Sequence, residues 1–213
     1  METKAMIEKT GLVPVLRASS AEEGHALVEA LLAGGVNIVE VTMTVPGAVE
    51  LLRELKSNYG NTLLLGSGTV TDARQARATI EAGAEFVVSP SLHLDVIAAT
   101  KEMGKVSIPG AFTPTEVIAA WRAGAEYVKV FPCSAAGGAS YLKALRAPFP
   151  DLRLIPTGGV TLATATEYLS AGAAALGVGS DLVNTRAIAE GKPEIITDTA
   201  RAYLETIRKF RMQ

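Results

Sequence analysis

Ala123-Gly124-Ala125-Glu126-Tyr127-Val128-Lys129-Val130-Phe131 is the stretch that decides the fold. Its Ala-Gly-Ala phrase is a helix exit, with glycine where a left-handed C-terminal cap is wanted. The β-branched and aromatic run that follows reads as a buried strand. The same phrase returns as Ala33-Gly34-Gly35, Ala82-Gly83-Ala84 and Ala171-Gly172-Ala173. The intervals halve to about 20–25 residues, the length of one compact βα module. Further strands are expected at Leu12–Leu16, Ile38–Thr42, Thr62–Leu65, Glu85–Val88, Val106–Ile108, Arg153–Ile155 and Ala174–Val178, beside Tyr127–Phe131. Nearly continuous apolar runs of this kind belong to parallel strands covered on both faces.

Helix starts are also signposted. Ser20 with Glu23 reads as a capping box, and Thr113-Pro114-Thr115-Glu116 places a Thr cap, a first-turn Pro and a Glu in order. Eight alternating units without a change of composition predict an α/β fold, a single (β/α)8 TIM barrel over residues 1–213. An extra N-terminal helix (Lys4–Lys9) and a long final one (Glu194–Arg211) flank it. The competing fold is a doubly wound open sheet, but no Gly-x-Gly-x-x-Gly follows the first strand; Gly66-Ser67-Gly68-Thr69-Val70-Thr71 lacks the third glycine.

Composition narrows the functional classes. The chain has 213 residues, 48% of them hydrophobic, which excludes disorder and suits one domain. Twenty basic against 22 acidic residues give a net charge of -2, which argues against nucleic acid as a partner. One cysteine, Cys133, cannot form an internal disulfide, and Met1-Glu2-Thr3-Lys4 opens no signal-type apolar run. The apolar stretch Ala171–Gly179 is too short to span a bilayer. A cytoplasmic protein with no membrane partner is the expectation.

Lys129 is the one charge in its strand. Alternation sends Val128 and Val130 to one face and Tyr127, Lys129 and Phe131 to the other, so Lys129 points into a barrel core. Desolvation there favours a neutral, nucleophilic amine, as imine formation with a carbonyl requires. The other reading is a lysine held by a buried carboxylate or snorkelling to the barrel mouth. Glu40, in Ile38-Val39-Glu40-Val41-Thr42, is the natural counterpart. It sits on the second strand and Lys129 on the sixth, so inward residues can share a layer. The pair is either a structural ion pair or a nucleophile with its acid/base.

Two glycine-bearing strand ends follow, Pro156-Thr157-Gly158-Gly159-Val160 and Gly177-Val178-Gly179-Ser180-Asp181. Exposed amides there, with helix N-termini behind them, make a phosphate cradle in the loops after strands seven and eight; tight-turn glycine is the bland alternative. Arg17 closes the first strand and is a candidate anion clamp, while Thr69 and Pro90 end the third and fourth strands at the pocket. His25 and His93 fall on helical segments without metal-ligand spacing, so no metal is expected. Cys133 and Trp121 read as packing residues.

Taken together the motifs resemble those of the 2-keto-3-deoxy-6-phosphogluconate aldolases, a lysine-dependent family that extends to the galactonate epimer and to 4-hydroxy-2-oxoglutarate. The matching phrases run from Pro14-Val15-Leu16-Arg17 through Val39-Glu40-Val41-Thr42, Gly66-Ser67-Gly68-Thr69-Val70, Ser89-Pro90, Ile108-Pro109-Gly110 and Val128-Lys129-Val130-Phe131-Pro132 to the two glycine-bearing strand ends. The resemblance implies a cofactor-independent lyase. Lys129 would be its Schiff-base lysine, Glu40 its acid/base, and Thr69, Pro90 and Phe131 its pyruvyl pocket. Thr157, Gly158, Gly159, Gly179 and Ser180 would bind phosphate. It also implies a phosphorylated keto acid and pyruvate as small-molecule partners, and a homotrimer. Some members carry an arginine four residues after the glutamate, where this chain has Thr44. Anion binding is therefore assigned to Arg17. Two other classes stay open: another phosphate-binding barrel enzyme, and a non-catalytic or engineered assembly scaffold.

Overall fold

The computed structural model describes residues 3–212. Helix α1 (Thr3–Thr10) leads into β1 (Leu12–Leu16), and strands then alternate with helices to the C-terminus. They are α2 (Ala21–Ala33), β2 (Ile38–Thr42), α3 (Ala48–Tyr59), β3 (Leu64–Gly68), α4 (Ala73–Glu81), β4 (Phe86–Val88), α5 (Leu94–Glu102), β5 (Val106–Ile108) and β6 (Gly110–Ala111). After these come α6 (Pro114–Arg122), β7 (Val128–Val130), a 3-10 turn (Ser134–Ala136), α7 (Ala139–Arg146), β8 (Leu154–Pro156), α8 (Ala165–Ser170), β9 (Leu176–Val178), α9 (Thr185–Ala189) and α10 (Glu194–Arg211).

This is an α/β fold of parallel strands in a curled sheet. Six strands run in the order β5-β4-β3-β2-β1-β9, and three more in the order β6-β7-β8. All seven strand pairings are parallel. Pro109 alone separates β5 from β6, and a parallel bridge joins Thr157, just past β8, to Gly177 of β9. The fifth expected strand is thus two segments, because proline has no N–H to donate to a ladder; Lys129 accordingly lies on β7.

The sequence places β3 too early, at Thr62–Leu65, whereas the strand runs on through Gly66-Ser67-Gly68. Those glycines look like a turn but are a space requirement. A Cβ at Gly66 would lie 2.1 Å from the Phe86 ring, and one at Gly68 1.9 Å from Glu40 Oε1. Gly177 does the same for Thr157, whose Oγ1 would be 2.1 Å from an added Cβ. Three glycines therefore leave room inside the sheet for a ring, a carboxylate and a hydroxyl.

The four Ala-Gly exits do adopt left-handed geometry, at Gly35, Gly83, Gly124 and Gly172. Thr113 forms a complete capping box, with Glu116 accepting from the Thr113 and Phe112 amides at 2.8 Å each. Those bonds hold the Glu116 carboxyl below its ordinary range. The Ser20 box is only half made. Ser20 Oγ accepts from Glu23 N–H at 3.2 Å, but the Glu23 carboxylate takes the Ser19 amide and hydroxyl instead. His93 caps α5 without a side-chain bond and lies outside the helix expected to hold it, its ring bonded to Ser91 Oγ. Helix α1 lies across the N-terminal end of β7, where the buried Tyr127 hydroxyl donates to Glu8 Oε1 at 3.0 Å. Among the described residues no helix is long and apolar enough to cross a membrane.

Candidate active site

Strand alternation and burial bring Lys129 and Glu40 together. The ammonium nitrogen of Lys129 lies 3.8 Å from Glu40 Oε1, with 4% of Lys129 and 2% of Glu40 exposed. That spacing is an ion pair but longer than a hydrogen bond. Glu40 Oε1 accordingly has no hydrogen-bond partner although it is buried. A buried carboxylate oxygen without a donor is costly, and the fold bears that cost at this one carboxylate. Burial pushes the Glu40 carboxyl above its ordinary range, against the opposing pull of Lys129 and Arg17.

A void of about 10 Å³ lies beside the pair, walled by Val13, Val88, Ile108, Ile155, Thr157 and Gly177. Thr157 also belongs to the wall of a larger cavity of about 520 Å³, which Arg17, Phe131, Gly158, Gly159, Gly179, Ser180 and Asp181 help to line. Thr157 is thus common to the wall of the void beside the buried pair and to that of the glycine-walled chamber. The Phe131 ring, which lines the chamber, has its centroid 5.1 Å from the Lys129 nitrogen.

The chamber is framed by backbone that side chains would block. Gly158 and Gly159 take φ of 85° and 77°, and an added Cβ at Gly159 would lie 2.3 Å from Ser134 Oγ. Two consecutive left-handed glycines in a cavity wall are the kind of backbone turn that suits an anion. Arg17 is exposed at the opposite rim, its guanidinium reaching to 4.0 Å from the position of a Cβ on Gly179.

Neither Thr69 nor Pro90 belongs to the wall of the chamber or of the void. Thr69 is nevertheless held at φ 60°, a left-handed conformation that costs a β-branched residue roughly 1–3 kcal/mol. Bonds from Met43 N–H to Gly68 O and from Val70 N–H to Val88 O pin the chain on either side of it. Pro90 packs its backbone against Gly110, where an added Cβ would be 2.4 Å from Pro90 carbonyl atoms. Thr44 is exposed, its hydroxyl 2.6 Å from that of Thr42.

The sequence assigns no role to Asp181, which lines the chamber and accepts two hydrogen bonds. A carboxylate directly after Gly179-Ser180, beside amides that favour anions, is the signal that could have drawn notice to it. Cys133 is buried, and its thiol is pushed up to about 11, mainly by burial. Among the described residues no group of three or more His, Cys, Asp or Glu side chains could hold a metal ion.

The KDPG and KHG aldolase family matches residues 3–199 of the chain. A 2-dehydro-3-deoxy-6-phosphogalactonate aldolase of Escherichia coli K12 is 33% identical over 201 residues, covering 94% of this chain and 98% of the relative. The KHG/KDPG aldolase of the same strain is 34% identical over 194 residues, covering 91% of each. A KDPG aldolase from Legionella pneumophila, solved with pyruvate captured at low pH as a covalent carbinolamine intermediate, superimposes with a TM-score of 0.88 at 32% identity. It covers 95% of this chain and 98% of that one. This chain belongs to the KDPG and KHG aldolase family.

Proposed function

We propose that the protein is a Schiff-base aldolase that reversibly cleaves 2-keto-3-deoxy-6-phosphogluconate, or its galactonate epimer, to pyruvate and glyceraldehyde 3-phosphate. The observation that carries this reading is the buried Lys129–Glu40 pair at 3.8 Å, beside a void that shares Thr157 with the wall of a glycine-walled chamber. The covalent pyruvate adduct of the Legionella pneumophila relative supports the same chemistry.

In this mechanism Lys129 Nζ attacks the C2 ketone, and loss of water leaves a protonated imine. Glu40 Oε1, the unpartnered oxygen, takes the C4 hydroxyl proton directly or through a water. The electron pair of the C3–C4 bond flows into the imine, which becomes the enamine of pyruvate as the aldehyde departs. The proton is returned to C3, and hydrolysis of the imine frees pyruvate and the Lys129 amine. Burial, which makes Glu40 a stronger base than a free carboxylate, suits it to accept that proton. Phe131 shields the imine, with Thr69 and Pro90 supporting the pyruvyl end from behind. The amides of Gly158, Gly159, Gly179 and Ser180 receive the phosphate beside Thr157, whose own amide is donated to Val130 O, and Arg17 clamps the substrate anion. None of these steps calls on a cofactor.

The same reading makes residues 1–213 one closed (β/α)8 barrel with α1 as an added N-terminal helix. The break at Pro109 alone and the Thr157–Gly177 bridge support closure, since they join the two sheets at both edges. The protein acts as a homotrimer in the cytoplasm. Exposed Phe149, beside Ile118 and Trp121, supports a face covered by another copy, and the lone buried thiol suits a reducing compartment.

The test is borohydride reduction in the presence of pyruvate, followed by intact mass and peptide mapping. A reduced pyruvyl adduct on Lys129 is expected, with none on Lys129→Ala. A folded wild-type protein that gives no adduct would make Lys129 structural and overturn the assignment.

A further inference from the structure

The loop after β8 and the loop after β9 face each other across the chamber, and one carboxylate joins them. Asp181 Oδ2 accepts from Leu162 N–H of the first loop at 3.0 Å. The same oxygen accepts from the Tyr203 hydroxyl of α10 at 2.5 Å. Tyr203 is fully buried, and burial together with this bond raises its hydroxyl far above its ordinary range. The second loop is closed on itself by Leu182 and Val183 N–H donating to Gly179 O at 3.0 and 2.8 Å. The first is closed by Thr161 N–H donating to Thr164 Oγ1 at 3.0 Å. Each loop is thus a rigid turn, and the Asp181 carboxylate links the two turns to each other and to the C-terminal helix.

We propose that Asp181, buttressed by Tyr203, is the positioning residue that sets the spacing of the two anion-binding loops, and so the enzyme's affinity for the phosphate end of its substrate. This rests on the aldolase reading for its substrate but not for its geometry. A carboxylate in the wall of an anion site would repel phosphate if it were free. Here its Oδ2 is turned to two donors on the loop and helix, and through them it holds the loop amides in place. Lys129 borders the inner void, whose wall does not include Asp181.

The experiment compares wild type with Asp181→Ala, Asp181→Asn and Tyr203→Phe. Steady-state kinetics are measured on a phosphorylated 2-keto-3-deoxy sugar acid and on unphosphorylated 4-hydroxy-2-oxoglutarate. Loss of a hydrogen bond to a charged group predicts a KM about tenfold higher for the phosphorylated substrate in Asp181→Ala. The loss on the phosphate-free substrate should be several-fold smaller, and pyruvate should still be trapped on Lys129. Asp181→Asn keeps an acceptor oxygen and should recover part of the loss, and Tyr203→Phe should fall between. Equal losses on both substrates, or no change in the KM ratio for any variant, would overturn the proposal. Calorimetric binding of inorganic phosphate gives a second readout that needs no catalysis. It should weaken in Asp181→Ala and Tyr203→Phe even if wild type forms no imine. Unchanged phosphate binding in both would sink the proposal independently of the aldolase reading.

Discussion

Replacing Gly68 with alanine tests the placement of Glu40 with the smallest possible change. The added methyl would stand 1.9 Å from Glu40 Oε1 and 2.6 Å from its Cδ and Cγ. Ordinary contact begins near 3.4 Å, so the carboxylate must retreat by about 1.5 Å. It has little room, since Glu40 is fully enclosed and the adjoining void holds only about 10 Å³. A catalytic group displaced by about 1 Å loses on the order of 100-fold in rate, equivalent to about 2.7 kcal/mol of barrier. Gly68 is not in the left-handed region, so the backbone itself accepts alanine. Stability should fall by about 1–3 kcal/mol through overpacking, which leaves a folded protein. The assay is kcat/KM for the cleavage direction, read beside the thermal midpoint and the yield of borohydride-trapped pyruvate. Gly66→Ala is the matched control. Its methyl would strike the Phe86 ring at 2.1 Å, a similar insult to packing on the same strand with no clash against Glu40. The expected pattern is a comparable drop in midpoint for both variants, with the large loss of turnover confined to Gly68→Ala. Turnover of Gly68→Ala within about threefold of wild type, in a folded protein, would refute the claim that Glu40 must sit where the structure puts it.

Three further outcomes follow from the same contacts. Lys129→Met should abolish pyruvate trapping and destabilise the fold by about 3–5 kcal/mol, because it leaves Glu40 buried without its cation. The folded-state Glu40 carboxyl is already raised and would rise further, so the stability it supports is present at acid pH and lost as pH climbs through that higher value. The thermal midpoint of this variant, relative to wild type, should therefore be less depressed at pH 5 than at pH 8. Glu40→Gln should still trap pyruvate while turnover drops about 10²- to 10⁴-fold. The acid limb of the wild-type kcat/KM profile should lie above the ordinary carboxylate pKa of about 4.3, and the glutamine variant should lack it. Thr113→Ala removes the side-chain half of the α6 cap and should cost about 1 kcal/mol, roughly 2–4 °C in midpoint, with kcat unchanged. An unchanged midpoint would mean that Pro114 and the Glu116 bonds suffice to start the helix.

What the sequence discloses and what it hides divide along one physical line. Periodicity and caps are local, and they locate most of the elements: β1, β2, β5 and α10 lie where the residues alone put them. The lone charges in apolar strands are equally legible, because a lysine among valines has few reasons to be there. Gly66 and Gly68 are different. Their meaning is the Phe86 ring from the next strand and the Glu40 carboxylate from the previous one, and neither neighbour is written beside them. Ending the strand at Leu65, before them, follows from local rules, and it fails because side-chain volume across strands decides. Asp181 is hidden for the same reason. Its two donors come from residues 162 and 203, so sequence alone shows an acid after a glycine turn and not a link between loops. The Glu23 bond to Ser19 shows the limit even of local rules, since two adjacent serines compete and only geometry chooses. Residues that carry charge into the core can thus be found by their type. Those that make space for that charge, or hold the loops around it, become visible only when strands far apart in sequence are brought side by side.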